Sequence, residues 1–122
     1  MIAITETLPK HDAPDKTNIK FSLEGYEVLQ NNYGRGVCIF YKDSLTLSEI
    51  SLEEDLFSCS LYCKVKTNSN DSFIIGVVYR SPNSNEVDNN NLIKQINYVC
   101  KKSNLNRHKL VLLGDFDFPE ID

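Results

Sequence analysis

Four side chains stand where runs of apolar, β-forming residues end. Glu6 follows Ile2-Ala-Ile-Thr, Tyr79 closes Phe73-Ile-Ile-Gly-Val-Val-Tyr, and Asp115 and Asp117 follow Lys109-Leu-Val-Leu-Leu-Gly. If these strands are neighbours running the same way, their ends bring all four side chains to one rim of a sheet. Carboxylates gathered there suit a hard divalent cation, Mg²⁺ or Mn²⁺, which takes oxygen ligands, retains waters and leaves room for a phosphate. The chemistry would be phosphoryl: a metal stabilises charge on a phosphoryl oxygen while a carboxylate orients or deprotonates an attacking water. Gly114 fits this picture, because a chain that turns sharply to present Asp115 gains from a residue without a Cβ. Each position also has a plain structural reading. A Glu after a strand often begins a solvated loop, a Tyr at a strand end often packs half-buried, and Gly-Asp is often only a turn.

The elements that must position these residues follow from the hydrophobic pattern. Residues 2–5 read as a short buried strand, and Pro9 and Pro14 make residues 8–20 a loop or a short helical turn. A short strand is expected over residues 26–29, a turn at Asn31-Asn-Tyr-Gly-Arg-Gly, a strand over 37–41 and another within 46–51. Phe57, Cys59, Leu61, Cys63 and Val65 alternate with Ser58, Ser60, Tyr62, Lys64 and Lys66, the period of a half-buried strand with one wet face. After a polar loop, residues 73–79 form a near-continuous apolar strand, buried on both faces. Residues 80–91 read as a loop. Leu92, Ile93, Ile96, Val99 and Cys100 then recur at helical spacing, with Lys101 and Lys102 suited to the negative end of the helix dipole. Residues 109–113 read as a second strand buried on both faces. A strand, helix and strand in that order make a crossover between parallel neighbours, and the whole pattern predicts an α/β sandwich with a mixed sheet.

Composition narrows the function further. The 122 residues amount to one domain at most, with 41% hydrophobic and 25% charged residues, as in an ordinary globular protein. A net charge of −4 argues against a domain that works by gripping a nucleic-acid backbone, and leaves room for an enzyme that meets phosphate through a metal. No apolar stretch reaches the length of a membrane span and no basic-then-apolar leader opens the sequence, so an intracellular protein, nuclear or cytoplasmic, is expected. Cys38, Cys59, Cys63 and Cys100 include no C-x-x-C pair and read as small hydrophobes of a reducing compartment, not as a zinc set.

Four blocks carry a family resemblance. Ile2-Ala-Ile-Thr-Glu-Thr, Gly34-Arg-Gly-Val-Cys-Ile-Phe-Tyr-Lys, Val77-Val-Tyr-Arg-Ser-Pro-Asn-Ser and Leu112-Leu-Gly-Asp-Phe-Asp-Phe-Pro-Glu-Ile-Asp resemble successive blocks of the endonuclease domain of LINE- and jockey-like retrotransposons. They occur in that family's order across nearly the whole chain. The resemblance implies the endonuclease/exonuclease/phosphatase superfamily and its four-layer αββα sandwich of the deoxyribonuclease I type. It also implies Mg²⁺-dependent hydrolysis of phosphodiester bonds, with DNA as the substrate of the complete domain. By the same resemblance Glu6 is the metal-binding glutamate, Tyr79 the tyrosine beside the scissile phosphate, and Asp115 the aspartate that activates or orients the attacking water. Asp117 stands where the family has asparagine. An ionised carboxylate there only accepts hydrogen bonds, where an amide would donate one to phosphate.

The family's domain begins with a strand bearing an asparagine and ends with a Ser-Asp-His segment, and neither block is found here; His11 and His108 lack a matching context. Residues 1–122 are therefore expected to form a single partial domain that lacks the first strand and the C-terminal part, with no measurable nicking activity alone. Two other readings stand beside that of an enzyme fragment: a catalytically dead relic, and a domesticated binding module that keeps the sheet as an interaction surface.

Overall fold

The computed structural model describes residues 1–8, 19–52, 57, 59–67, 71–102 and 109–116. Seven strands and one helix are present among them: β1 (Ile2–Thr5), β2 (Glu27–Asn31), β3 (Val37–Tyr41), β4 (Thr46–Glu49), β5 (Ser60–Lys66), β6 (Ser72–Tyr79), α1 (Glu86–Lys102) and β7 (Lys109–Asp115). They form two sheets, a three-stranded one in the order β1-β3-β2 and a four-stranded one in the order β4-β5-β6-β7. Every pairing is antiparallel except β6 with β7, where the chain returns parallel after α1. That parallel pair makes the second sheet mixed, as the strand–helix–strand pattern predicts.

The period-two patterning of the strands creates two cores, one on each side of the larger sheet. Val37 and Ile39 of β3 meet Leu61, Cys63 and Val65 of β5 and Ile75, Val77 and Tyr79 of β6, joining sheet to sheet. On the opposite face Tyr62, Ile74 and Val78 pack under Leu92 and Val99 of α1, with Phe57 at one end. β6 is buried on both faces because it feeds both cores, which accounts for its unbroken apolar run. Among the described residues the layers are thus sheet, sheet and helix, three of the four expected. The outer face of the smaller sheet is met by residues 19–21: the Gln30 side chain accepts a hydrogen bond from the Phe21 N–H (3.0 Å) and donates to the Ile19 carbonyl (2.6 Å).

Four expectations need correction. The supposed wet face of β5 is dry at Ser60 and Tyr62, and only Lys64 and Lys66 reach solvent. Ser60 is buried with its hydroxyl satisfied: it donates to the Phe57 carbonyl (2.7 Å) and lies 3.0 Å from Oε1 of the equally buried Gln95, an alternative acceptor for the same proton. The helix begins at Glu86, well before Leu92. Asn85 caps it, its Oδ1 accepting from the Asp88 N–H (2.9 Å) while Asp88 Oδ2 accepts from the Asn85 N–H (3.1 Å). β7 is not buried on both faces: it pairs only with β6 among the described residues, and Val111 and Leu113 are 41% and 40% exposed. β1, read as a buried strand, is likewise an edge, with Ile2 and Ile4 exposed on its outer side. No helix among the described residues is long and apolar enough to cross a membrane.

Candidate functional site

Tyr79 and Asp115 are brought together by the parallel ladder, which sets them opposite each other as the last pair of β6 and β7. Glu6 reaches the same rim from the other sheet. β1 packs across β6 and β7, and Glu6 follows its last residue with φ 55, the left-handed region that a non-glycine residue seldom enters. That turn ends the strand and leaves the carboxylate near enough to Tyr79 to raise the pKa of its phenol. Three of the four side chains expected at one rim therefore meet there. Asp117, like His11 and His108, lies outside the described residues.

Local backbone constraints hold both carboxylates in place. Gly114 has φ +151, and a Cβ there would run into the Val78 carbonyl oxygen of the neighbouring strand. This close approach, more than the turn itself, requires glycine before Asp115. On the other sheet Gly36 has φ +77, and a Cβ would overlap Thr7 Oγ1. The chain after Glu6 is tied to this turn by the Leu8 N–H to the Arg35 carbonyl (2.9 Å) and the Thr7 N–H to the Gly36 carbonyl (3.4 Å).

Two arginines complete the rim. Arg35 lies between the two glycines, donates from Nε to the Leu8 carbonyl (3.2 Å) and places Nη1 3.6 Å from Glu6 Oε1. Arg80 follows Tyr79 directly and is only 3% exposed. Its Nε donates to Asn89 Oδ1 of α1 (2.7 Å), and its Nη groups reach the carbonyls of Ser81, Ser84 and Phe116 (3.4 Å each). Its backbone N–H donates to the Asp115 carbonyl (2.7 Å). Arg80 thereby fastens the loop after β6, the first turns of α1 and the end of β7 to one another. Both arginines lie inside the sequence blocks that carry the resemblance, but neither breaks the local pattern. The available signal was position: each sits in a turn or at a strand end that feeds this same rim.

Between the Gly34–Arg35 turn, Phe57, Cys59, Tyr79 and the loop bearing Ser81 and Ser84 is an open cleft of about 250 Å³, closed on the helix side by Asp88. The Tyr79 phenol is raised above the ordinary tyrosine range, first by burial, then by the Glu6 carboxylate beside it and, less, by the Asp115 charge, with Arg35 opposing. It stays a neutral donor at physiological pH. Cys59 on the cleft wall is also raised, by burial, against the N–H groups of Gly36 and Arg35, which favour its thiolate.

Among the described residues no three His, Cys, Asp or Glu side chains stand close enough to cage a metal ion. The donor set at the rim is two hard carboxylates, Glu6 and Asp115, beside an open cleft. This fits Mg²⁺, which keeps most of its waters and is commonly held by one or two carboxylates plus substrate oxygens. It does not fit zinc, which prefers closed nitrogen and sulfur coordination.

The sequence matches no protein-family model and no curated relative. Its structure is similar to the solved catalytic domain of human nocturnin with a bound sulfate anion, with a TM-score of 0.53 and 14% identity over 77% of this chain. The chain spans 43% of the length of that domain. At this identity the likeness establishes the fold alone: two packed sheets with a helix on the larger, in a deoxyribonuclease I-like arrangement.

Proposed function

We propose that this chain is part of a Mg²⁺-dependent phosphodiesterase domain, a DNA endonuclease of the kind carried by LINE- and jockey-like retrotransposons. The observation that carries the reading is the convergence of Glu6 and Asp115, from strand ends in two different sheets, on Tyr79, whose side chain lines the cleft. Packing alone gives no reason for two carboxylates and a phenol to meet at an open edge. The fold class supports a phosphodiesterase, and the four ordered sequence blocks favour the retrotransposon branch. The nocturnin domain's sulfate is a tetrahedral oxyanion, the shape of a phosphate group.

In this reading Glu6 holds the metal, with Asp115 near enough in charge to bias the same Tyr79 phenol. Bound Mg²⁺ would supply charge stabilisation on a phosphoryl oxygen. Tyr79, kept protonated, lines the cleft and can donate a hydrogen bond to a phosphate oxygen there. Asp115 orients or deprotonates the attacking water, held at its place by Arg80 and by the Gly114 approach to β6. In this reading DNA is the substrate of the domain. Asp117 in place of asparagine favours one second reading, a relic that binds metal and no longer cuts.

Calorimetric titration with Mg²⁺ tests the reading. Binding is expected in the parent chain and should be lost in Glu6→Ala and weakened in Asp115→Ala; absence of any Glu6-dependent binding would sink the proposal. The chain alone is expected not to nick supercoiled plasmid in Mg²⁺. Nicking that disappears in Glu6→Ala would place a complete catalytic set within these 122 residues and remove the relic reading.

A further inference from the structure

We propose that Arg35 is the resident counter-ion of Glu6, yielding the carboxylate when a divalent ion binds and then serving the cleft as its phosphate-binding cation. The inference rests on the reading of Glu6 as a metal ligand. Its physical basis is the unequal way in which Arg35 is held. The root of the side chain is fixed, since Gly34 and Gly36 flank it with positive φ, its carbonyl accepts from the Leu8 N–H, and its Nε donates to the Leu8 carbonyl. The distal end is held loosely. Nη1 meets Glu6 at 3.6 Å, beyond hydrogen-bond length, and the two side chains are 29% and 41% exposed. A half-exposed pair of this kind contributes little and separates readily.

A guanidinium beside Glu6 and a divalent ion on Glu6 repel each other, so occupancy by one disfavours the other. Pivoting about the Nε–Leu8 bond leaves Arg35 its tether while freeing the Nη fork, which is shaped for two phosphate oxygens. The cleft is the place to which it can turn: among the described residues lining it, Arg35 is the one cation, and Ser81, Ser84 and Tyr79 offer hydroxyls beside it. One side chain would thus couple the two occupants of the site. It holds the carboxylate while the metal is absent, and it binds an anion only once the metal has taken its place.

The test uses the full chain at low ionic strength, with circular dichroism confirming the fold of each variant. Arg35→Gln should bind Mg²⁺ about tenfold more tightly, the size expected on removing a unit positive charge ~5 Å from a divalent ion in water-like surroundings. Arg35→Lys, which keeps the charge, should stay within about twofold of the parent by the same reasoning. With Mg²⁺ saturating, Arg35→Gln should bind a short labelled oligothymidylate more weakly than the parent. A merely structural arginine would not move these two affinities in opposite directions. In the parent chain, independently of any variant, the Arg35 Nε–H resonance should shift as Mg²⁺ saturates the site. A stationary resonance, or Mg²⁺ binding that is unchanged or weaker in Arg35→Gln while still abolished in Glu6→Gln, overturns this inference alone. Absence of Glu6-dependent Mg²⁺ binding in every chain overturns the metal-site reading with it.

Discussion

Arg80 offers the sharpest test of how the rim is built, because its buried guanidinium joins loop, helix and strand by named bonds. The short bond from Nε to Asn89 Oδ1 (2.7 Å) is charge-assisted and buried, worth about 1.5–3 kcal/mol. The three contacts of 3.4 Å, to the carbonyls of Ser81, Ser84 and Phe116, are near the geometric limit and contribute at most ~0.5 kcal/mol each. In Arg80→Met the apolar stem still fills its space, so the loss isolates the guanidinium and comes to about 3–4 kcal/mol. Against the ~5–15 kcal/mol of a typical domain that is a large share. With a urea slope of ~1.5 kcal/mol per molar, the unfolding midpoint should fall by about 2 M. Arg80→Lys keeps a charge and one good bond and should lie between the two. Equilibrium urea denaturation at low micromolar concentration, followed by far-UV circular dichroism, reads this out. A midpoint for Arg80→Met within about 0.5 M of the parent, equivalent to under ~1 kcal/mol, would refute the claim that this side chain fastens helix, loop and strand together.

Three further outcomes are expected. Gly114→Ala places a Cβ against the Val78 carbonyl at φ +151, and it should cost about 2–4 kcal/mol in the same denaturation assay and reduce Asp115-dependent Mg²⁺ binding. Alkali should unfold the protein from about pH 9 upward. Burial pushes the Cys63 thiol up to about 12 from 9.0, so over that window the unfolded chain binds fewer protons than the folded one and stability falls as pH rises. Cys63→Val should flatten that slope between pH 9 and 12, and an unchanged slope would show that Cys63 is not its source. Finally, Val111→Lys with Leu113→Lys adds charge to the exposed inner side of the β7 edge and should reduce self-association in light scattering without lowering the midpoint by more than about 1 kcal/mol.

How far the sequence discloses the molecule depends on where each signal resides. β6 was legible because burial on both faces leaves a continuous apolar run that allows no other strand reading. β5 was half legible: its alternation is real, but Ser60 and Tyr62 look solvated until α1 is known to lie overhead, with Gln95, 35 residues away, on Ser60 and with Leu92 and Val99 in the cluster of Tyr62. The first turns of α1 were hidden by polarity. Asp88 and the three asparagines after it read as loop, and only the reciprocal Asn85–Asp88 bonds show that the run is capped helix. β7 was misjudged because an apolar run records what a strand could bury and not whether anything covers it. The strand-end positions of Glu6, Tyr79 and Asp115 were legible as chemistry, since a polar group closing an apolar run breaks a pattern. Arg35 and Arg80 break none. Among their partners are the carbonyls of Leu8 and Phe116, 27 and 36 positions away, and a carbonyl has no sequence signature.

The same topology explains why the site needs so many local ties. Among the described residues, Tyr79 ends a central strand whose neighbours on both sides are paired, while Glu6 follows β1 and Asp115 ends β7, each an edge strand with a single partner. Sheet packing therefore fixes the phenol firmly and the two carboxylates weakly. Edge strands open at low free-energy cost, and a carboxylate carried on one would wander by more than a metal or an attacking water tolerates. What restrains them is local: the Gly36 turn holding Thr7 and Leu8 just beyond Glu6, the Gly114 backbone pressed to Val78 just before Asp115, and Arg80 gripping the Asp115 and Phe116 carbonyls. Such ties cannot be replaced by improving the core. A substitution in the sheet-to-sheet core should lower global stability and leave the relative affinity for Mg²⁺ unchanged in the folded fraction. A substitution in one of the ties should do the reverse, loosening the metal by more than its effect on the unfolding midpoint accounts for. Comparing Val77→Ala with Gly36→Ala on both measurements separates the two cases. If both variants lose metal affinity in proportion to stability, the rim is held by the sheets after all.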